Sequence, residues 1–137
     1  MNKLLVVLSI LILGNTVLFA SEMAEPETEL YFISPADGQT LQNPLVVRFG
    51  LKNMGVAPAG SNIKNTGHHH LLIDTGLPSL DLPIPSDANH RHFGGGQTET
   101  SIELSPGTHT LQLLLGDFSH IPHKPTVSSE QITITVE

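Results

Sequence analysis

The sequence predicts an all-β domain, an antiparallel immunoglobulin-like β-sandwich that follows a cleaved signal peptide. Short runs rich in β-branched and apolar residues recur along the chain, separated by turns rich in proline and glycine. No segment shows a sustained helical period. Near the C-terminus a Pro-Gly turn, an alternating strand, a Gly-Asp pair, a loop and a final strand follow one another, an order typical of immunoglobulin-like domains. The chain contains neither cysteine nor tryptophan, so the expected likeness to antibody domains is one of architecture alone.

Residues 1–20 predict a signal peptide. A short basic start ending at Lys3 precedes an apolar run over residues 4–19, and Ala20 is a small residue suited to signal peptidase. The alternative is an uncleaved membrane anchor, but the run is short and is interrupted by polar residues at 14–16. Cleavage after Ala20 predicts a periplasmic or secreted protein with no membrane attachment.

The rest of the chain predicts one acidic domain. Residues 21–29 are acidic and poor in apolar side chains, which indicates a flexible lead-in, and residues 30–137 form the predicted β-sandwich. After Ala20, five basic residues stand against thirteen acidic ones. This composition argues against nucleic acid as a partner, because nucleic-acid binding requires a basic surface. An acidic surface attracts cations weakly, although solubility explains it equally well.

Three strands are predicted in the first half of the domain. Residues 30–33 form a short strand that ends at a Ser-Pro pair, and residues 45–51 form a second strand of β-branched and aromatic residues. A long loop over residues 52–67 leads to a third strand over residues 68–74.

The second half predicts a long loop and three further strands. Residues 76–96 hold three prolines and a triple glycine, and long loops within compact domains are commonly functional. Strands are predicted over residues 99–104 and 108–115, the latter with clear alternation of apolar and polar residues. Another loop over residues 116–128 precedes the last strand, residues 131–136.

The histidines concentrate in three clusters, a triplet in the third strand and one pair in each of the two later loops. Neutral imidazole is the commonest protein ligand for borderline transition metals, and a chain without cysteine offers no thiolate alternative. The clusters therefore predict a histidine-only metal site at one end of the sandwich. The predicted ligands are His68, His70, His90, His92, His120 and His123.

Side-chain alternation divides the triplet. His69 shares a face with Leu71 and Ile73, which make the better core pair, so His69 is expected inside and its neighbours towards the site. His109, at the start of the fifth strand, is expected to be a structural corner residue. The alternative for every cluster is a role without metal, in which buried histidines are hydrogen-bonded to neighbours and loop histidines are exposed to solvent.

Two features of the loops bear on the site. The triple glycine at residues 94–96 permits a bend that brings the preceding loop over the triplet strand. Phosphate binding by these glycines is disfavoured, because no Walker-type lysine and no helix follow them. Asp117 is expected either to bind the metal or to orient a ligand histidine, and otherwise to form a turn.

With these residues in view, the chain resembles an uncharacterised family of small bacterial exported domains, a domain of unknown function. The resemblance covers residues 31–136 and implies no particular activity. The matching stretches are residues 67–74 (GHHHLLID), 90–99 (HRHFGGGQTE), 106–111 (PGTHTL), 116–117 (GD) and 120–123 (HIPH).

The function expected from the residues is periplasmic metal binding for storage, delivery or sequestration, with copper first and zinc second. Histidine nitrogen without thiolate favours Cu(II) or Zn(II), and the affinity order places copper above zinc. The alternatives are a structural or interaction module of the cell envelope with a protein partner, a pH sensor, and a metalloenzyme. No arrangement of acid, base and nucleophile is recognisable, so no catalytic residues are predicted and the protein is not expected to be an enzyme.

Overall fold

A computed structural model of the protein describes residues 26–137, which fold as two β-sheets without helices. The predicted all-β, two-sheet architecture is therefore confirmed. The predicted signal peptide and residues 21–25 of the predicted lead-in lie outside the described residues. The strands are β1 (Glu29–Ser34), β2 (Thr40–Leu41), β3 (Leu45–Lys52), β4 (Gly55–Val56), β5 (Thr66–Ile73), β6 (His90–His92), β7 (Glu99–Ile102), β8 (Gly107–Gly116) and β9 (Ile132–Val136).

One sheet has three strands in the order β1-β3-β7, and the other has six. The larger sheet runs β2-β9-β8-β5-β4, and β6 pairs with β5 beside it. The pairs β2–β9 and β4–β5 are parallel, whereas the other strand pairs of the two sheets are antiparallel, as predicted. Both β2 and β4 have two residues. Strand β4 lies in the predicted loop over residues 52–67, and β2 lies between the first two predicted strands, where no periodic pattern marks a strand.

The core lies between the inner faces of the two sheets. Strand β8 contributes Leu111, Leu113 and Leu115, as its alternation predicts, and β9 contributes Ile132, Ile134 and Val136. The three-stranded sheet meets these side chains with Leu45, Val47 and Phe49 of β3 and with Leu30 and Ile102.

Strand β5 is buried on both faces and paired on both sides, with β8 along one side and with β4 and β6 along the other. Its inner face joins the main core. On its outer face, Leu72 packs with Leu114 and with Ile84, which comes from the long loop before β6. A hydrogen bond from Asn89 Nδ2 to the Ile73 carbonyl, at 2.8 Å, attaches this loop to the end of β5. This cover explains why a histidine-rich strand is buried throughout.

His109 closes a corner between β5 and β8. Its Nδ1 lies 2.6 Å from Asp74 Oδ2, and its Nε2 lies 2.8 Å from the Ser105 carbonyl oxygen. The other oxygen of Asp74 accepts a hydrogen bond from the Thr110 amide at 2.9 Å. These contacts raise the pKa of His109, the Asp74 carboxylate having the largest effect. His109 thus has the structural role expected of it.

Strand bounds differ from expectation mainly at the loops. Strand β6 lies inside residues 76–96, which were predicted to lack regular structure, and β7 ends at Ile102 rather than at residue 104. Among the described residues, no helix is long and apolar enough to cross a membrane.

Candidate metal centre

Three histidines meet on the outer face of the six-stranded sheet because of strand register. Residues two apart in a strand point to the same face, which places His68 and His70 together. In the antiparallel pairing of β5 with β6, His70 lies directly opposite His92. The three residues offer nitrogen atoms that all lie within 4.8 Å of one another, close enough to hold one metal ion after small ring movements.

A fourth histidine, His120, joins them from the loop after β8. Asp117 Oδ1 accepts hydrogen bonds from the amides of Ser119 and Ile121, at 2.8 and 2.9 Å, and so builds the tight turn that presents this residue. His120 itself has a positive φ of 68°. Asp117 therefore orients the loop that carries a candidate ligand, and one of its two carboxylate oxygens accepts hydrogen bonds from backbone amides.

The distances between the four imidazole rings are short and similar. The ring centroids of His68 lie 4.8, 5.0 and 4.9 Å from those of His70, His92 and His120. The His92 and His120 centroids are 4.7 Å apart, and the longest separation, from His70 to His120, is 6.1 Å. The four rings thus form one compact cluster, in which His68, His70 and His92 have the mutually close nitrogen atoms and His120 adjoins His92.

The Nε2 atoms of His92 and His120 are 3.1 Å apart. Two nitrogens that each lie about 2.05 Å from one tetrahedral ion are about 3.3 Å apart. The observed spacing therefore nearly equals that of two ligands of a single ion. A hydrogen bond from the protonated nitrogen of one neutral ring to the bare nitrogen of the other has the same spacing.

The inner part of the cluster is deeply buried and lacks hydrogen bonds. His68 is 0% exposed and His70 is 1% exposed, and none of their four ring nitrogens has a hydrogen-bond partner among the described residues. Burying such groups unpaired costs on the order of 1–3 kcal/mol each. A metal ion would satisfy one nitrogen of each ring. The ring nitrogens of His69 are unpaired as well, so it is the proximity to His92 that marks His68 and His70 as candidate ligands.

Electrostatics keeps the cluster in the form that binds metal. Burial, with smaller contributions from His120 and His92, lowers the pKa of His68 to about 4. Burial also lowers the pKa of His70 to about 3, and it lowers the pKa of His92. These imidazoles are neutral at physiological pH, as metal ligation requires.

Two glycines make room for the ligand rings. A Cβ atom on Gly116 would lie 2.8 Å from His70 Cε1, and one on Gly94 would lie 2.3 Å from His92 Cε1. Both distances are below the contact distance that real Cβ atoms show. The sequence identified Gly94 as a source of backbone freedom only, and its role in ring clearance was missed, as was that of Gly116. The signal in the sequence for these two roles is that each glycine lies within a few residues of a histidine cluster along the chain.

Two predicted ligands are not in this group. His90 shares its strand face with His92, but it lies one residue pair further along, opposite Leu72, and its Nδ1 is 2.8 Å from Asp87 Oδ1. It is thus held by the loop that precedes β6.

His123 lies on the other side of β5. A Cβ on Gly67 would point to the face of His69 and would lie 2.7 Å from His123 Nε2 and 2.9 Å from Leu115 Cδ2. The His123 ring therefore lies on the core side of β5, where it cannot join His68. Of the predicted His120 and His123 pair, His120 lies beside His92 and His123 lies beside Gly67.

His69 lies on the core side, as alternation predicts. Its ring is 0% exposed and packs against Phe49 with a centroid distance of 5.0 Å. Burial lowers the pKa of His69 to about 4, so it is a neutral core residue.

The fold and the site together define a small two-sheet β domain with a cluster of four imidazoles, two of them buried, on the outer face of one sheet. Residues 47–137 match the family model of a domain of unknown function, DUF4399, and the chain belongs to that family. The resemblance expected from residue 31 onward is thus confirmed from Val47 to the end of the chain. No curated protein and no solved structure matches the chain.

Proposed function

We propose that this protein binds a single transition-metal ion through His68, His70, His92 and His120, with copper as the preferred ion and zinc as the alternative. The observation that carries the proposal is the pair of buried, unpartnered imidazoles, His68 and His70, facing two further imidazoles across a short gap. Four nitrogen donors with no thiolate favour Cu(II) or Zn(II), and copper binds more tightly to such a set.

Sulfur ligation does not contribute to this site. The chain has no cysteine. Met54, the methionine within the described residues, packs half-buried against the main core rather than beside the histidine rings. A soft site for Cu(I) built on thioether or thiolate ligands is therefore not part of the proposal.

The cellular role proposed is storage, delivery or sequestration of the ion in the periplasm or outside the cell. The predicted signal peptide supports export. The acidic composition supports attraction of cations to the surface.

Isothermal titration of untagged, metal-free protein tests the binding directly. We expect one Cu(II) or Zn(II) ion per chain with a dissociation constant below about 1 μM. His68→Gln is expected to abolish this binding. His90→Gln is the matched control, because His90 lies on the same strand face as His92 but is held by Asp87. Wild-type binding weaker than micromolar for both ions would rule the proposal out.

Elemental analysis of protein purified without a polyhistidine tag from its native compartment separates copper from zinc. The rival to metal binding is a structural or interaction module of the envelope, in which the contact between His92 and His120 is an ordinary hydrogen bond. An unchanged melting temperature on addition of either ion would favour that rival, because a bound ion stabilises the native state.

A further inference from the structure

The four histidines form an inner and an outer pair. His68 and His70 are almost completely buried, whereas His92 is exposed and His120 is half-buried. An ion held among the four rings would therefore have protein on the side of the inner pair. Solvent would reach it on the side of the outer pair.

The inner pair stands on rigid backbone. His68 lies opposite Gly116 and His70 lies opposite Leu114 in the ladder with β8, and β6 pairs along the other side of the strand. The His70 ring also fills the space that a Cβ on Gly116 would take. Because both rings are almost completely buried, neither can turn into solvent as a ring at the surface can.

The outer pair stands on shorter and less supported elements. His92 ends a three-residue strand, and after the buried Phe93 the chain continues into the triple glycine at residues 94–96. His120 belongs to a turn built on one carboxylate, and its carbonyl accepts a hydrogen bond from the Ile84 amide at 2.8 Å. Either ring can turn towards solvent without disturbing the packed core.

We infer that His92 and His120 are the exchange ligands, through which the ion passes to and from a partner molecule. The inference rests on the proposed function and specifies how that site operates. In each step a donor atom of the acceptor forms a bond to the ion as the bond to one outer imidazole breaks. The displaced imidazole leaves neutral, any proton on the acceptor's donor atom is released to solvent, and the oxidation state of the ion does not change, so no electron is required.

The acceptor is accordingly a molecule with its own nitrogen, oxygen or sulfur donors that reaches the ion from the solvent side. The inner imidazoles keep their bonds until the outer ones have been replaced. A site of this kind exchanges its ion in the folded state, and it is suited to delivery rather than to permanent structural binding.

Transfer kinetics of the wild-type protein test the inference. Protein loaded with Cu(II) is mixed with increasing concentrations of nitrilotriacetate, and loss of the protein-bound copper spectrum is followed by stopped flow. Displacement through solvent-facing ligands predicts a rate that rises in proportion to the chelator concentration. A rate that does not depend on the chelator would overturn the inference, because it would show that the protein must open before the ion leaves.

Rescue by free imidazole provides a second test. His120→Asn retains a residue that tolerates positive φ, and it should lose roughly tenfold or more in copper affinity. Added imidazole should restore that affinity and the four-nitrogen spectrum, because the missing ligand position is open to solvent. Imidazole should not restore copper affinity to His70→Ala, because the position of that ring is buried. His90→Ala should keep wild-type copper affinity without imidazole, because His90 is outside the cluster.

The outcomes separate this inference from the proposed function. If the wild-type protein takes up neither Cu(II) nor Zn(II), both fail together. If it binds an ion but imidazole rescues the inner and outer variants equally, or rescues neither, only the assignment of exchange ligands fails. The kinetic test uses the wild-type chain and so does not depend on the inner variant folding.

Discussion

The substitution Gly116→Ala is expected to distort the site, because the new Cβ atom would collide with the His70 ring. The new Cβ would lie 2.8 Å from His70 Cε1 and 3.3 Å from Ile84 Cδ1. Carbon atoms in contact are about 3.5–4.0 Å apart, so the His70 ring must move by roughly 0.7 Å or more. The ring is 1% exposed and cannot move into solvent. Overpacking of this kind costs about 1–3 kcal/mol in the free energy of unfolding.

The same displacement should disrupt metal binding. Metal–ligand distances tolerate deviations of about 0.2 Å, so a shift of roughly 0.7 Å amounts to loss of one ligand. Four-ligand zinc sites supply on the order of 10–16 kcal/mol, so the loss of one ligand should cost about 3 kcal/mol, or roughly a hundredfold in affinity.

Denaturant unfolding of the metal-free protein and isothermal titration with Cu(II) measure the two effects separately. Gly76→Ala is the matched control, because a Cβ there has no neighbour within 4 Å and no positive φ is involved. If Gly116→Ala behaves like Gly76→Ala in both assays, the packing argument is wrong. If stability falls while copper affinity is unchanged, His70 is not a ligand.

Three further predictions concern residues around the cluster. His69→Leu should raise the free energy of unfolding of the metal-free protein by about 1–3 kcal/mol, because it removes two buried, unpaired nitrogens from the core; a denaturant titration that shows lower stability, or a loss of copper affinity, would contradict this. Asp117→Ala should weaken copper binding measured by titration, because it releases the turn that presents His120; unchanged affinity would show that the turn holds without the carboxylate. The raised pKa of His109 means that its pairing with Asp74 contributes fully below the unfolded pKa of about 6.5 and is lost as the pH rises through the folded value. The melting-temperature difference between wild type and His109→Gln should therefore shrink from pH 5.5 to pH 9, and a difference that grows would refute the sign of the linkage.

The sequence predicts the fold class and part of the site because both follow from local periodicity. Alternation alone places His68 and His70 on one face and His69 on the other, and it assigns the inward face of β8. These inferences need no knowledge of which strands are neighbours.

The convergence of the cluster depends on relationships that are not local. His92 meets His70 through the register of β6, a strand of three residues in a loop with no periodic pattern. Two features separate His120 from His123. The positive φ of His120 redirects the chain, and Gly67 in β5 leaves room for the His123 ring on the other side of the strand. Such a separation depends on backbone angles and packing that a spacing of three residues does not encode.

The small strands β2 and β4 illustrate the same limit. Each adds a parallel partner to the edge of the larger sheet with only two residues. Their pairing is stabilised by the tertiary arrangement of the loops, for example by the bond from the Ala57 amide to the Gly67 carbonyl at 2.9 Å. Tertiary contacts of this kind override the turn-forming preferences of the sequence.

X-ray absorption at the metal edge of untagged protein loaded with one equivalent of Cu(II) or Zn(II) is the most direct test of ligation by the four histidines. Such a site predicts a shell of nitrogen atoms at about 2.0 Å with the multiple-scattering signature of imidazole, from four histidines and without sulfur. That signature should lose one imidazole in His120→Asn and none in His90→Gln. A shell dominated by oxygen, or an ion that is lost on gel filtration, would contradict ligation by these histidines.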